Sequence, residues 1–526
     1  MTAEISVIVP AIQTLPKLNF QTEMGRVSRQ SGIVFAGTIF TAVLGYVFKV
    51  YLARVLGANA LGLYALGMTI IGFLGIVNVL GLPDAALRFV AQYAAEEKFD
   101  ALRSLLWNGA WILLASNLLF AAILLTGGRW IAIRFYHSPE LIRYLPLFAA
   151  IMIAGVLNSF FGKVVAGYKE VSRRTVVTRF ISTPVTMAIA ILLIAFHYGL
   201  RGYLLAQIIS AVIVLALLVS MAWHFTPAPA RSWDGQKLPL QPEIWSFSAA
   251  MFSVGLMDFV LSQADRVALG YYRGAREVGI YSVAAALVAY EAIILQSVNQ
   301  IFAPVIADLH TRGERVLLGR MFQTLTKWML GLTCPLAFVM IIFAQPIMRI
   351  FGRDFAVAWP ILIIGTCGQL VNCGVGSVGF LLLMSGNQHR LVRVQAVMAV
   401  LMVVLSIFLV PLWGVWGAAV AATITNVGVN AWNLLEVKSR LHFSPYNSSY
   451  LKLLPPLALT LLAALLSTHV SAHLKGSWIN ICFAVLVAYG TFSATAFLMG
   501  LNADDRLIAS AVLSRVRGVF AHESEA

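Results

Sequence analysis

Lys49 and Arg266 stand 217 positions apart (266 minus 49), each inside a long apolar run, and the same spacing returns elsewhere in the chain. Two cations at matching places in two halves of a chain can close around one anion. Bonds from Lys or Arg to a phosphate or carboxylate are charge-assisted, about twice as strong as neutral hydrogen bonds. Arg88 and Arg179 are further candidates for anion contacts. The run around Arg266 also holds Asp258, Ser262 and Asp265, so four polar residues fall at i, i+4, i+7 and i+8, one face of a helix. Such a stripe either lines a cavity or joins an aspartate to Arg266 as glue between helices. Glu291 is alone in the next apolar run. A carboxylate there is costly when ionised, which suits a carrier of protons or cations and equally suits a glutamate capped by a neighbouring helix. Ion coupling is therefore assigned to Glu291, with Asp258 and Asp265 as companions. For Arg179 and Lys327, a turn or two from helix ends, snorkelling to a surface competes with a role in a cavity.

Chemistry of other kinds finds no support. There is no Walker A pattern, and no large loop pairs carboxylates or sets a nucleophile beside a base. The four cysteines (Cys334, Cys367, Cys373, Cys482) lie in apolar stretches without CxxC spacing or histidine neighbours, so they are small packing residues, not metal ligands. The sequence thus predicts no catalytic residue, no metal and no cofactor, and a protein that is not an enzyme.

The elements that must position these residues follow from composition. Of 526 residues, 60% are hydrophobic and 11% charged, against about 25% charged in ordinary soluble domains. The mean hydropathy is +0.85. A spanning helix needs roughly 20 mostly apolar residues, and about fourteen runs qualify, among them Ile33 to Val55, Leu63 to Leu82, Ile280 to Ile306 and Ala356 to Met384. The fold class is an all-α polytopic membrane protein. Trp107, Trp130, Trp223, Trp328, Trp413 and Trp478 fall near helix ends, as in an interfacial belt. No cleavable signal is read at the N-terminus, where the short apolar patch Ile5 to Ile12 contains Pro10 and follows no basic residue.

Sorted by alternate loops, Lys and Arg favour one side by roughly two to one, which makes that side cytoplasmic and places both termini there. Topology accounts for most of the net charge of +15, and no nucleic acid is needed to explain it. The chain also repeats. Leu56-Gly57-Ala58 and Gly62-Leu63-Tyr64 return as Arg273-Gly274-Ala275 and Gly279-Ile280-Tyr281 at a shift of 217; Gly199 answers Gly414 at 215, and Gly167 answers Gly386 at 219. An even number of spans per shift makes the repeat parallel, two six-helix bundles facing a central cleft, the architecture of alternating access. The expected organisation is a cytoplasmic tail over 1–31, a bundle over 32–226, a cytoplasmic linker over 227–243, a second bundle over 244–440, two additional helices over 441–501 and a cytoplasmic tail over 502–526.

Several segments resemble the multidrug/oligosaccharidyl-lipid/polysaccharide (MOP) flippase superfamily, and within it the Wzx-like polysaccharide or O-antigen flippases. They are Ala53-Arg54-Val55-Leu56-Gly57 running into Gly62-Leu63-Tyr64-Ala65-Leu66, Gly81-Leu82-Pro83-Asp84-Ala85-Ala86-Leu87-Arg88, Asp265-Arg266 with Val278-Gly279-Ile280-Tyr281, and Leu409-Val410-Pro411-Leu412-Trp413-Gly414. The resemblance implies a bacterial inner-membrane flippase that moves an undecaprenyl-diphosphate-linked oligosaccharide from the cytoplasmic to the periplasmic face for surface polysaccharide (lipopolysaccharide or exopolysaccharide) synthesis. It implies coupling to H+ or Na+ and no ATP hydrolysis. Its partners would be that anionic lipid-linked substrate, membrane lipids, a polysaccharide polymerase and a chain-length regulator. Under it, Lys49, Arg266, Arg88 and Arg179 are the substrate-binding residues. A cation or drug antiporter of the same superfamily is the nearest alternative, though the paired cations argue against it. A membrane-bound glycan polymerase or ligase is the more distant one.

Overall fold

Within a bilayer every backbone N–H and C=O must be satisfied inside its own segment, so apolar runs of this length fold as helices. The computed structural model describes residues 20–231, 240–471 and 477–499, and among these residues there is no strand. The first lobe comprises α1 (Phe20–Val79), α2 (Leu82–Ala95), α3 (Phe99–Trp130), α4 (Leu145–Gly167), α5 (Val171–Thr175), α6 (Ser182–Ala195) and α7 (Gly199–Phe225), followed by the short α8 (Ala228–Arg231). The second comprises α9 (Pro242–Arg273), α10 (Ala275–Thr311), α11 (Arg315–Ile342), α12 (Ala344–Phe351), α13 (Trp359–Val375), α14 (Val378–Met384), α15 (Gln388–Trp413) and α16 (Val415–Arg440). Last come α17 (Leu454–Ser471) and α18 (Ser477–Leu498), a pair laid on α11 and tied to it by the Tyr489 hydroxyl, which donates to the Leu332 carbonyl at 2.9 Å.

Among the described residues, twelve segments are long and apolar enough to cross a membrane. The first, Ala36–Val79, is two arms joined at Gly57, and α16 lies outside the twelve because Asn426, Asn430 and Asn433 lower its hydropathy. Counting both gives the fourteen spans expected. α1 starts at Phe20, so it takes in part of the expected tail; the rest of that tail, most of the linker and the expected C-terminal tail lie outside the described residues.

The repeat is visible in the backbone. Gly57 (φ 77, ψ 176) and Gly274 (φ 84, ψ −178) adopt the same left-handed-side conformation between paired helices, a region open to glycine because it has no Cβ. Further positive-φ positions match at shifts of 215 to 217: Glu97 with Gly313, His137 with Gly352, Lys169 with Gly386 and Gly199 with Gly414. This corrects one anchor. Gly386 corresponds to Lys169, not Gly167, because the turn requires the left-handed conformation and a lysine has taken it (φ 63). Each half also departs from the other: the second span breaks at Leu80 and Gly81, while its counterpart α10 runs through, and the tenth breaks at Gly376 (φ 78), while α4 runs through.

The lobes meet backbone to backbone at the charge-poor end. A Cβ on Gly62 would strike the Ala275 carbonyl, and one on Gly279 would strike the Ala58 carbonyl, a reciprocal contact at a shift of 217. Reciprocity of this kind is the mark of a two-fold axis. Polar clips repeat around it: Asn59 Nδ2 donates to Glu140 Oε2 at 3.1 Å, and Arg276 Nη2 to Asp354 Oδ1 at 3.2 Å. Arg54 Nε joins the lobes directly through the Ile350 carbonyl at 2.7 Å. Gly62→Val is therefore expected to hold this end apart. Ala58→Cys, buried in the native contact, should then gain several-fold reactivity toward a membrane-impermeant thiol reagent; unchanged reactivity means the glycines are not the seal.

Candidate functional site

Lys49 on α1 and Arg266 on α9 come together from opposite lobes, both part-buried and close enough to feel each other's charge. Arg266 Nη1 donates to Gln263 Oε1 at 2.6 Å, and the Thr69 hydroxyl of α1, which donates to the Ala65 carbonyl at 2.9 Å, lies 3.4 Å from the same Gln263 oxygen. Arg266 Nε is buried without a protein partner. Among the described residues no carboxylate forms an ion pair with either cation.

Asp265 is within electrostatic reach of Arg266, but its carboxylate makes its hydrogen bonds elsewhere. It accepts from the Tyr281 hydroxyl of α10 and, at 2.7 Å, from the Arg266 backbone N–H. The alternative of an Asp265–Arg266 ion pair as interhelical glue is therefore not what the structure contains. The polar stripe on α9 divides along its length. Because α9 and α10 are joined at Gly274, Asp265 near the joint is covered, whereas Ser262 and Asp258 are exposed. No hydrogen bond or ion pair links Asp258 to Glu291.

Glu291 is fully buried on α10. Its Oε1 accepts from the Thr366 hydroxyl of α13 at 2.7 Å, and its Oε2 has no protein partner. Cys334, Cys373 and Tyr489 lie within electrostatic reach. The glycines of the tenth span bring these helices together: Gly365 packs on Val288 of α10 and Gly368 on Thr423 of α16. Gly376 instead makes the break, where a Cβ would strike the Thr326 hydroxyl. Close packing and a break in the helix thus belong to different glycines of one span.

The remaining candidates lie apart from this pair. Arg88 is exposed on α2, its guanidinium 5.4 Å from the Phe89 ring centroid and 5.0 Å from that of Phe247. Arg179 is in a π turn, Val176–Ile181, between α5 and α6. Lys327 is buried in α11 at 6% exposure, so it does not snorkel to a surface as its nearness to a helix end suggested. Cys334 and Cys373 are buried, Cys367 and Cys482 exposed, and no group of His, Cys, Asp or Glu suited to a metal occurs among the described residues.

Sequence reasoning missed Gln263, Tyr281 as a bonding residue, and Thr366. The repeat held a signal for the second: Tyr64, its counterpart at a shift of 217, also makes a polar contact, accepting from Gln207 Nε2 at 2.9 Å. An apolar cavity of about 650 Å³ lies between the lobes, lined by Phe73, Trp130, Phe259, Tyr271, Ser406 and Ile407 among others.

Two helical bundles related by a pseudo-two-fold axis meet around paired charges, a fold shared with solved transporters of the MOP superfamily. The chain superposes on the lipid II flippase MurJ in an inward closed conformation with a TM-score of 0.72 at 16% identity, covering 89% of this chain and 98% of that one. It superposes on the inward-facing conformation of a multidrug resistance MATE family transporter with a TM-score of 0.60 at 15% identity, covering 76% and 94%. For the Vibrio cholerae MATE transporter VcmN the values are 0.54, 15%, 81% and 100%. The polysaccharide biosynthesis protein family matches residues 27–310, more than half of the sequence, and the MatE family matches residues 250–408. The chain belongs to the polysaccharide biosynthesis protein family. No curated protein matches it.

Proposed function

We propose that the protein is a flippase that carries an undecaprenyl-diphosphate-linked oligosaccharide across the bacterial inner membrane, from the charge-rich cytoplasmic face to the periplasm, by ion-coupled alternating access. The observation that carries this reading is the Lys49–Arg266 pair: two cations from opposite lobes, repelling each other in a half-desolvated position and forming no ion pair with a carboxylate among the described residues. Charge inside a membrane protein is costly and is retained where a substrate uses it. A diphosphate offers two anionic groups to two cations, and bundles that rock about the glycine contact can close around it. The family match and the likeness to a lipid II flippase support the lipid-linked substrate. A cation or drug antiporter would be poorly served by a cleft with this sign.

Reconstitution tests it. Proteoliposomes loaded with a fluorescent polyprenyl-diphosphate oligosaccharide should lose the protected half of their signal to a membrane-impermeant quencher under an imposed H+ or Na+ gradient, at least tenfold faster than protein-free liposomes. Rates no faster than the protein-free control, with both gradients tried, count against the flippase assignment.

A further inference from the structure

The fifth span passes from α5 through a single π turn into α6. Such insertions are rare and gather at functional sites. Here the turn follows Arg174 and contains Arg179, and both side chains are part-buried. Packing fixes where they lie. A Cβ on Gly162 of α4 would be 3.3 Å from Arg174 Nε, and a Cβ on Gly37 of α1 would be 3.4 Å from Arg179 Cβ. Arg174 therefore rests against α4 inside the first lobe, and Arg179 lies beside α1. The two guanidinium groups are close enough to repel, and the acidic group within reach of Arg174 is Asp84. Asp84 is already bound by Lys163 at 2.7 Å. Neither guanidinium forms a hydrogen bond or ion pair with a protein group among the described residues. One turn along α1 from Gly37, the Thr41 hydroxyl is buried without a partner.

Repulsion between two guanidinium groups out of bulk water is relieved by a bound anion, and the planar donors of arginine suit phosphate and carboxylate oxygens. We propose that Arg174, Arg179 and the Thr41 hydroxyl form a second anion station for a phosphate or carboxylate of the transported lipid-linked glycan. It is separate from the first. On α1, Gly37 is twelve residues and Thr41 eight residues from Lys49, about 18 Å and 12 Å along the axis, so the two stations lie at different depths. The identity of the ligand rests on the flippase reading; the anion site itself does not. Two sources supply the same chemistry: the diphosphate of a substrate entering from the charge-rich face, or an acidic sugar of a glycan whose diphosphate is already at Lys49 and Arg266.

The test uses the full-length protein in uncharged nanodiscs, with inorganic pyrophosphate and glucuronate as separate probes, followed by direct binding and by melting temperature. Wild-type protein should bind pyrophosphate at two classes of site. The Arg174→Gln, Arg179→Gln double variant should lose one class, with affinity there at least tenfold weaker, and the Arg174→Lys, Arg179→Lys variant should keep it in weakened form. If only pyrophosphate binding is lost, the station receives the diphosphate; if glucuronate binding goes too, it reads acidic sugars. Without anion and at low ionic strength, the glutamine variant should melt no lower than wild type, because a repulsion has been removed. Unchanged binding of both probes in that variant, or a lower melting temperature with unchanged binding, overturns the station. Unchanged binding in a Lys49→Gln, Arg266→Gln variant would count against the central site while leaving this one standing.

Discussion

Replacing Lys49 and Arg266 together by glutamine is expected to abolish flipping while leaving the protein folded. Each charge-assisted bond to a phosphate is worth about 1.5–3 kcal/mol, and each 1.4 kcal/mol is tenfold, so the pair accounts for roughly 10²- to 10⁴-fold in transport. The fold should hold, because losing the mutual repulsion of the two cations offsets losing the attraction between Arg266 and the buried Asp265. Only the Arg266–Gln263 bond is lost, at a part-buried site. Lys49→Arg keeps the charge and should retain most of the rate. Lys49→Glu should abolish transport by itself, since a carboxylate at that position would pair with Arg266 and occupy the place of the phosphate. The measurement is the gradient-driven quenching assay in proteoliposomes beside a melting curve. Wild-type rates in the double glutamine variant would falsify the central anion site, whatever becomes of the fold.

Much of this geometry is legible in the sequence, and the reason is the repeat. A shift of 217 that joins Gly57 to Gly274 and Gly62 to Gly279 also joins Lys49 to Arg266, and a pseudo-two-fold axis brings such equivalents face to face. Hydropathy located the spans because lipid tolerates little else. What the sequence could not give was where each polar side chain turns. Asp265 and Arg266 are neighbours in the chain, yet the carboxylate bonds to Tyr281 and the guanidinium to Gln263, a choice made by how α10 packs on α9. Thr366 is likewise one of many hydroxyls in apolar helices until Gly365 lets α13 approach α10 and sets it against Glu291. Lys327 looked interfacial from its distance to a helix end, but α11 is enclosed there, partly by its contact with α13. Breaks hide for a similar reason. Five glycines crowd the tenth span, and only Gly376 takes the positive φ that ends α13. The left-handed turn at Lys169 shows the converse, that glycine is favoured there but not required.

Glu291→Gln is expected to uncouple transport from the ion gradient. The carboxylate is fully buried with one hydrogen bond, from Thr366, and one oxygen without a protein partner. A buried charge with so little compensation is stable only when a proton or a cation accompanies it, which makes occupancy by that ion part of the lobe's conformational balance. Glutamine keeps the shape and can still accept from Thr366, but it can neither release a proton nor balance a cation. The variant should therefore fold, bind the lipid-linked substrate within a few-fold of wild type, and lose at least tenfold in gradient-driven rate. Slow exchange in both directions would remain. Thr366→Val gives an independent check, since it leaves the carboxylate with no partner at all, at a cost of about 1–3 kcal/mol. That substitution should lower the melting temperature of the native protein and have a smaller effect in the Glu291→Gln background, where no charge is stranded. A Glu291→Gln protein that still accelerates tenfold on imposing an H+ or Na+ gradient would move the coupling function to another residue, with the exposed Asp258 next to be tested.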